Sequence, residues 1–518
     1  MAPRDAAAGT APDRRPDRRH DRVHDMIILG AGFSGLIMAM EARRRGLTDI
    51  VILEKATEIG GTWRENTYPG VACDIPSHLY SIATHPNPDW TGAYAGGAEI
   101  LDYLRRVARE EGLYAFCRFG QEMTAARWQG DGWQVHTRDG GTWRARVLVS
   151  AIGALHVPAI PDIPGADSFP GPAFHSARWD HAADLAGKRI AVVGTGASAV
   201  QFVPEIAPEA ARVSIFQRTP PYVLPRPDGP IPPWVRRLHR AWPLTRRLRR
   251  WAIFRLFELR HATFTGHPRA VRIAMNWWRK ALERAIHDPE TRTILTPPYR
   301  IGCKRILSSN RWYPTLARDN VEVIPSGLAR IEGKRLIARD GTAVEADLLI
   351  WATGFRVTDA LERLSIAGEG GRTLAQAWAD GIGAHLGTAV AGFPNLFFLL
   401  GPHTGLGHNS VVLMIEAQVA HIGRVLAAAR REGLAAICPR ETAQRAFIAE
   451  IDRRLSATVW QNGGCRSWYQ DENGRNPTLW PGTVAEFQRR MARAGLEHYR
   501  PAAPETAADT TLGATQPG

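Results

Sequence analysis

The chain has 518 residues, 44% of them hydrophobic and 22% charged, which suits two or three folded domains and excludes a chain dominated by disorder. No run of about 18 uncharged apolar residues and no basic-then-apolar leader is present, so neither a spanning helix nor a secretory signal is expected and the cytoplasm is the default location. The formal charge of +14 would suit nucleic acid, but no nucleic-acid module accompanies it, and five scattered cysteines without a CxxC pair argue against a disulfide framework or a structural zinc.

Residues 1–24 mix arginine, aspartate and proline and read as a solvated tail. The apolar run MIIL then leads into GAGFSG, with Gly30, Gly32, Ser34 and Gly35, where a helix should open. Glycine lets backbone approach a pyrophosphate, and the helix N-terminus offers it free amides. The next strand, IVIL, ends at Glu54, 19 residues beyond Gly35, where an acid can hold ribose hydroxyls. Residues 25–154 therefore read as the first part of a domain for a dinucleotide with a free ribose.

A second unit follows in residues 155–344. RIAVV leads into GTGASA, with Gly194, Gly196, Ser198 and Ala199, and the following strand runs to Arg218 and Thr219. Arg218 lies 19 residues beyond Ala199, so a cation stands where the first unit has its acid. A carboxylate there would repel a 2′-phosphate and an arginine fork can bind it, which points to FAD for the first site and NADPH for the second.

Residues 220–298 are strand-poor and read as a helical insertion in the NADPH domain. Within it, residues 234–260 interleave arginine with Trp, Leu, Ile and Phe. Two readings fit: an arginine-faced insertion whose apolar side packs on the enzyme or borders the substrate cavity, or basic amphipathic helices in peripheral contact with a membrane. EADLLIWATGF, with Gly354, and FPNLFFLLGPHTG return the chain to the first domain, so residues 345–500 complete it and supply a lid, and residues 501–518 form a second tail. The expected fold is α/β, with two doubly wound Rossmann-like dinucleotide-binding domains and a discontinuous FAD domain.

Two longer patterns name a family. FPGPAFHSARWD, residues 169–180, fits FxGxxxHxxxWD at every fixed position, and GGTWRENTYPGVACD, residues 60–74, carries Gly-x-Trp, aromatic-Pro-Gly and a closing Asp. On these motifs, in the right order relative to both glycine turns, the chain resembles the flavin-dependent Baeyer–Villiger monooxygenases over about residues 25–500.

The resemblance implies that NADPH reduces FAD, that O2 adds to form a flavin peroxide, and that this attacks a ketone to give an ester or lactone. The partners are then a small ketone and O2, with no nucleic acid. In GCKRILSSNRWYPTL, residues 302–316, Arg305 matches the arginine that supports the peroxide and the adduct, Asp74 the acid that orients it, and Lys304 a lysine that reaches the NADPH 2′-phosphate. Thr62, Trp63, Asp74, Tyr80, Met123, Gly354 and Asn409 join the cofactor-binding set. His175 is expected at the hinge between domains, Trp179 as packing as much as chemistry, and Cys303 as a packed small residue.

Residues 458–481 resemble a closing lid segment, and Trp312, Tyr313, Trp468 and Tyr469 suggest an aromatic lining for a hydrophobic cyclic or aryl ketone. A flavin-containing S- or N-oxygenase with the same cofactors is the rival enzyme reading, and a flavoprotein docked on membrane the rival of another class.

Overall fold

The strands Val23–Leu29 and Ile50–Glu54 are buried along nearly their whole length, as parallel strands covered on both faces must be. They lie side by side in an eight-stranded sheet, in a computed structural model that describes residues 22–356 and 365–502. The order runs Ser365–Ala367, Met123–Trp128, Trp133–Thr137, Thr142–Ser150, Val23–Leu29, Ile50–Glu54 and Cys117–Phe119, and Leu396–Phe398 pairs with the far end of Thr142–Ser150. The chain leaves this sheet after Ser150 and comes back to it at Ser365.

Between those points it builds a second sheet of five parallel strands: Val321–Ile324, Arg212–Phe216, Arg189–Val193, Leu348–Trp351 and Ala173–His175. Both sheets carry their glycine turn at the carboxyl end of a strand, where a doubly wound fold binds its ligands. Helices run through most of residues 233–294, and the long helix Val411–Arg431 packs on Phe33–Arg44. Among the described residues Val411–Arg431 alone is long and apolar enough to cross a membrane, which the sequence reading did not expect, but more than half of that window is buried inside the protein.

Three further expectations need correction. The strand Leu348–Trp351, expected to bring the chain back to the first domain from residue 345, lies in the second sheet between Arg189–Val193 and Ala173–His175, because its buried apolar residues pair there, and the return comes only at Ser365. Val23 and His24 belong to the first strand rather than to the tail, because His24 Nδ1 meets the Asp49 carboxylate at 2.7 Å. Residues 1–21 and 503–518, the rest of the two tails, lie outside the described residues. Cys303 and Cys465, read as unpaired, are joined by a disulfide that ties the Lys304-Arg305 segment to residues 458–481. The pairing spans 162 residues, so no local spacing announced it.

Candidate active site

The first turn is tight. Gly30 adopts φ +102°, and a Cβ at Gly35 would stand 1.9 Å from the Gly30 carbonyl oxygen, so helix and turn approach too closely for any side chain. Glu54 fixes this turn from the neighbouring strand: its carboxylate accepts the Ala31 N–H at 2.8 Å and the Ala56 N–H at 2.9 Å, with Arg64 at 3.3 Å. These groups border a cavity of about 820 Å³, whose wall includes Gly30, Gly32, Ser34, Glu54, Thr62, Trp63, Asp74, Tyr80, Met123, Ser198, Arg305 and Asn409. A glycine cradle, an acid at the strand end and a cavity of this size fit a flavin dinucleotide.

Gly35 lies behind the wall in the core, and the rest of the expected set surrounds the second turn outside it. Gly194 has φ +107°, Gly196 caps the helix Ala197–Ile206, and Ala199 is fully buried, so its methyl fits where the first turn demands glycine. Arg218 is exposed at the end of its strand, with Thr219 next to it, and Gly354, at φ +84°, accepts the Ala159 N–H at 2.9 Å. Lys304 Nζ sits 5.2 Å from the centre of the Tyr299 ring, and burial, then the nearby Arg218 charge, pull its pKa below the usual lysine value. Two cations thus lie within electrostatic reach of one another with no carboxylate partner among the described residues. Such an arrangement suits an anion.

The cavity wall carries an ion pair. Arg305 Nε and Nη2 both donate to Asp74 Oδ2, at 3.1 and 2.5 Å. The Asp74 carboxylate, above all, raises the Arg305 pKa against the effect of burial, so the guanidinium stays charged. Its remaining N–H groups have no acceptor among the described residues. Tyr469, 1% exposed, lies close enough to feel the Arg305 charge, and burial pushes its phenol up to about 12, so it is a neutral neighbour.

Several partners escaped the sequence reading. Gln201, on the helix of the second turn, accepts the Tyr68 hydroxyl at 2.9 Å and donates to the Ala72 carbonyl at 2.9 Å, bridging the second unit to the segment ending in Asp74. Glu258, in the helical insertion, accepts Asn409 Nδ2 at 2.8 Å and the Ala485 N–H at 3.0 Å. Burial works against its charge, yet hydrogen bonds from His408, Ala485, Asn409 and Val484 bring its pKa down to about 2. Neither a glutamine inside the helix of the second turn nor a glutamate among the helix formers of the insertion gave a sign of these contacts.

Other residues fall differently from expectation. Trp312 and Tyr313 are buried in the core, where Trp278 Nε1 donates to the Tyr313 hydroxyl at 2.8 Å, so neither lines the cavity. Trp468 does line it, with Leu400, Leu406 and Leu479. His175 is buried against Phe355, its Nδ1 accepts the Ala177 N–H at 3.1 Å, and burial lowers its pKa to about 4, so it is a neutral ring. Trp179 packs edge-on against Phe174 and tilted against Phe202. Residues 477–479 are laced to the loop 403–405 by backbone bonds from His403 to Pro477 and from Gly405 to Thr478. In that loop His403 adopts φ +59°, a left-handed conformation held beside the cavity.

The family model described as pyridine nucleotide-disulphide oxidoreductase matches residues 27–242. A protein of Streptomyces coelicolor named Baeyer-Villiger monooxygenase is 47% identical over 476 residues, which cover 91% of this chain and 92% of that protein. Among solved structures, an oxidized steroid monooxygenase bound to NADP superposes with a TM-score of 0.81 at 31% identity, covering 91% of this chain and 97% of the other. OTEMO in complex with FAD and NADP gives a TM-score of 0.82 at 25% identity, covering 92% of this chain and 99% of the other.

Proposed function

The chain belongs to the Baeyer–Villiger monooxygenases, and on that premise we propose which of its residues carry the reaction and what kind of ketone it takes. The enzyme is an FAD-dependent monooxygenase that uses NADPH and O2 to convert a ketone into an ester or lactone. FAD, when bound, accepts the electrons of NADPH and activates O2. The protein's own task is to hold both cofactors, keep the ketone beside them, and stabilise negative charge as the carbonyl is attacked.

In our reading residues 23–154 and 365–500 form the FAD domain and residues 155–351 the NADPH domain, because the strand Leu348–Trp351 completes the second sheet. Gly30, Gly32, Ser34 and Gly35 take the FAD pyrophosphate, Glu54 the ribose, and Thr62, Trp63, Tyr80, Met123 and Asn409 border the rest of that cofactor. Gly194, Gly196, Ser198 and Ala199 take the NADPH pyrophosphate, Arg218, Thr219 and Lys304 the 2′-phosphate, and Gly354 and His175 form the junction next to it.

The observation that carries this reading is the Arg305–Asp74 pair on the cavity wall. Two of the guanidinium's N–H groups are spent on one carboxylate oxygen, which fixes the cation, while its other N–H groups are left for oxygen anions of the reacting ketone. The apolar wall supplied by Leu400, Leu406, Trp468 and Leu479 supports a hydrophobic ketone. Mass spectrometry of the products from cyclic, aryl and linear ketones, with purified protein, FAD and NADPH, tests it. Addition of one oxygen to hydrophobic ketones is expected. Turnover confined to sulfides or amines would refute the assignment of Arg305.

A further inference from the structure

The helix Pro243–Leu259 is apolar on two sides, one of them turned to solvent. Leu244, Leu248, Trp251, Leu256 and Leu259 are each more than half exposed, and their three- to five-residue spacing gathers them on one side of the helix. The opposite side is turned to the protein: Phe257 is buried, and Arg250 donates to the carbonyls of His78, Leu79 and Ser81 at 2.9 to 3.1 Å. An ordinary surface helix keeps its outer side polar. Phe257, with Ile253 and Phe254 half-buried beside it, packs on the enzyme as one reading held, but a second, large apolar stripe is left facing solvent.

The stripe is part of a wider surface. Of twelve large hydrophobic residues exposed among the described residues, ten lie between Trp234 and Trp277, four of them tryptophans. Residues 233–285 also hold fourteen arginines and lysines against two glutamates, a net +12 in a chain whose total is +14. One of those glutamates, Glu258, is spent internally on Asn409 and on the backbone of Ala485. Arg237, Arg247 and Arg255 are exposed and have no carboxylate partner among the described residues. The helix Pro268–Ala285 packs Trp278 and Leu282 in the core but also turns Ile273 and Trp277 outward.

We propose that residues 233–285 form a docking surface for an anionic lipid membrane, on which the enzyme lies peripherally. Exposed Trp and Leu side chains enter the headgroup boundary and unpaired arginines meet lipid phosphates, the combination that holds amphipathic helices in the interface plane. A second copy of this chain is the poorer occupant, because a symmetric contact would press one +12 surface against another. A convex stripe on single helices also suits a fluid plane better than the rigid surface of a folded protein. The inner side of Pro243–Leu259 reaches the active-site wall through Glu258 and Asn409, so a lipid-dissolved ketone would be met at the membrane by an element one contact away from the cavity.

The test is co-sedimentation of the full-length FAD-loaded enzyme with vesicles of phosphatidylcholine alone or mixed with phosphatidylglycerol, at low and high salt. Binding to the anionic vesicles, weakened by salt, is expected. The triple substitution Leu248→Ser, Trp251→Ser, Leu259→Ser should weaken it at least about tenfold, and Arg237→Gln, Arg247→Gln and Arg255→Gln about fivefold each. Flavin content and NADPH oxidation in detergent-free buffer should stay at wild-type levels in all of them. Quenching of wild-type tryptophan fluorescence by brominated acyl chains gives a readout that needs no variant. An enzyme that stays in the supernatant with anionic vesicles, or unquenched tryptophans, would overturn the proposal. So would a wild-type dimer in solution that the triple substitution splits, since the stripe would then belong to a second copy.

Discussion

Replacing Arg305 by alanine separates two halves of the catalytic cycle that most changes would damage together. The substitution removes both hydrogen bonds to Asp74 and a guanidinium that borders the cavity with spare N–H groups. It leaves the glycine turns, the Glu54 anchor and the Arg218–Lys304 pair in place, so FAD content and NADPH binding should survive. A preorganised charge aimed at a developing oxyanion is worth roughly 3 to 4 kcal/mol, about a hundredfold to a thousandfold in rate. Anaerobic stopped-flow absorbance should therefore show near-normal flavin bleaching by NADPH, while aerobic product formation falls by that factor and NADPH oxidation becomes uncoupled. Arg305→Lys keeps the charge but loses one of the two bonds to Asp74, and should fall between the two. Near-normal ester or lactone yield from Arg305→Ala, in a protein that retains FAD, would refute the role argued for this cation.

Asp74→Ala should weaken the same oxygenation step by roughly tenfold, less than loss of the cation, because the carboxylate positions Arg305 and does not itself meet the anion; product yield per NADPH consumed reads it. Arg218→Ala should raise the Michaelis constant for NADPH by about tenfold or more, since a charge-assisted phosphate contact is worth about 1.5 to 3 kcal/mol, and leave that for NADH nearly unchanged; equal losses would mark the residue as structural. Gly35→Ala should yield protein without bound flavin or no folded protein, because its methyl collides with the Gly30 carbonyl, whereas Ala199→Gly should keep NADPH binding; flavin absorbance after gel filtration and steady-state kinetics decide. Burial holds His175 and His385 at about 4, below the ordinary histidine value near 6.5. Between those values the unfolded chain takes up protons that the folded chain refuses, so stability should be full above about pH 6.5 and fall as pH drops toward 4. A melting temperature flat across that window would contradict it.

The chemistry-bearing parts of this fold were legible because they are local. A glycine turn, its preceding strand and the residue 19 positions on lie within one βαβ unit, and the two long fingerprints sit on single loops. The identity of Gly35 and the permitted alanine at 199 follow from backbone approach, which the short motif encodes directly. What stayed hidden depends on pairing across large separations. Gln201 reaching Ala72, Glu258 reaching Asn409 and Cys303 meeting Cys465 each join residues more than a hundred positions apart. Trp312 and Tyr313 were misplaced because aromatic type does not distinguish a cavity wall from a core, and only the burial of the helix Trp312–Leu316 against Trp278 settles it. The exposed stripe of the basic insertion was not separable from its packed side for a similar reason: helical periodicity gives the angle between apolar and charged sides but not which apolar residues face out.

The returning strand Leu396–Phe398 has a consequence for how the protein is made. Its partner, the Leu148–Ser150 end of Thr142–Ser150, leaves the ribosome roughly 250 residues earlier. At synthesis rates of about 5–20 residues per second, that edge waits on the order of ten to fifty seconds without its neighbour while the nucleotide unit is threaded between. The loop 399–406 and residues 477–479, which close the cavity, emerge later still. Flavin capture is therefore a late event of biosynthesis, open only to chains translated almost to their end. A ribosome that stalls within the insertion leaves a half-sheet with an exposed apolar edge and an incomplete place for its cofactor, a substrate for proteases rather than a partly active enzyme.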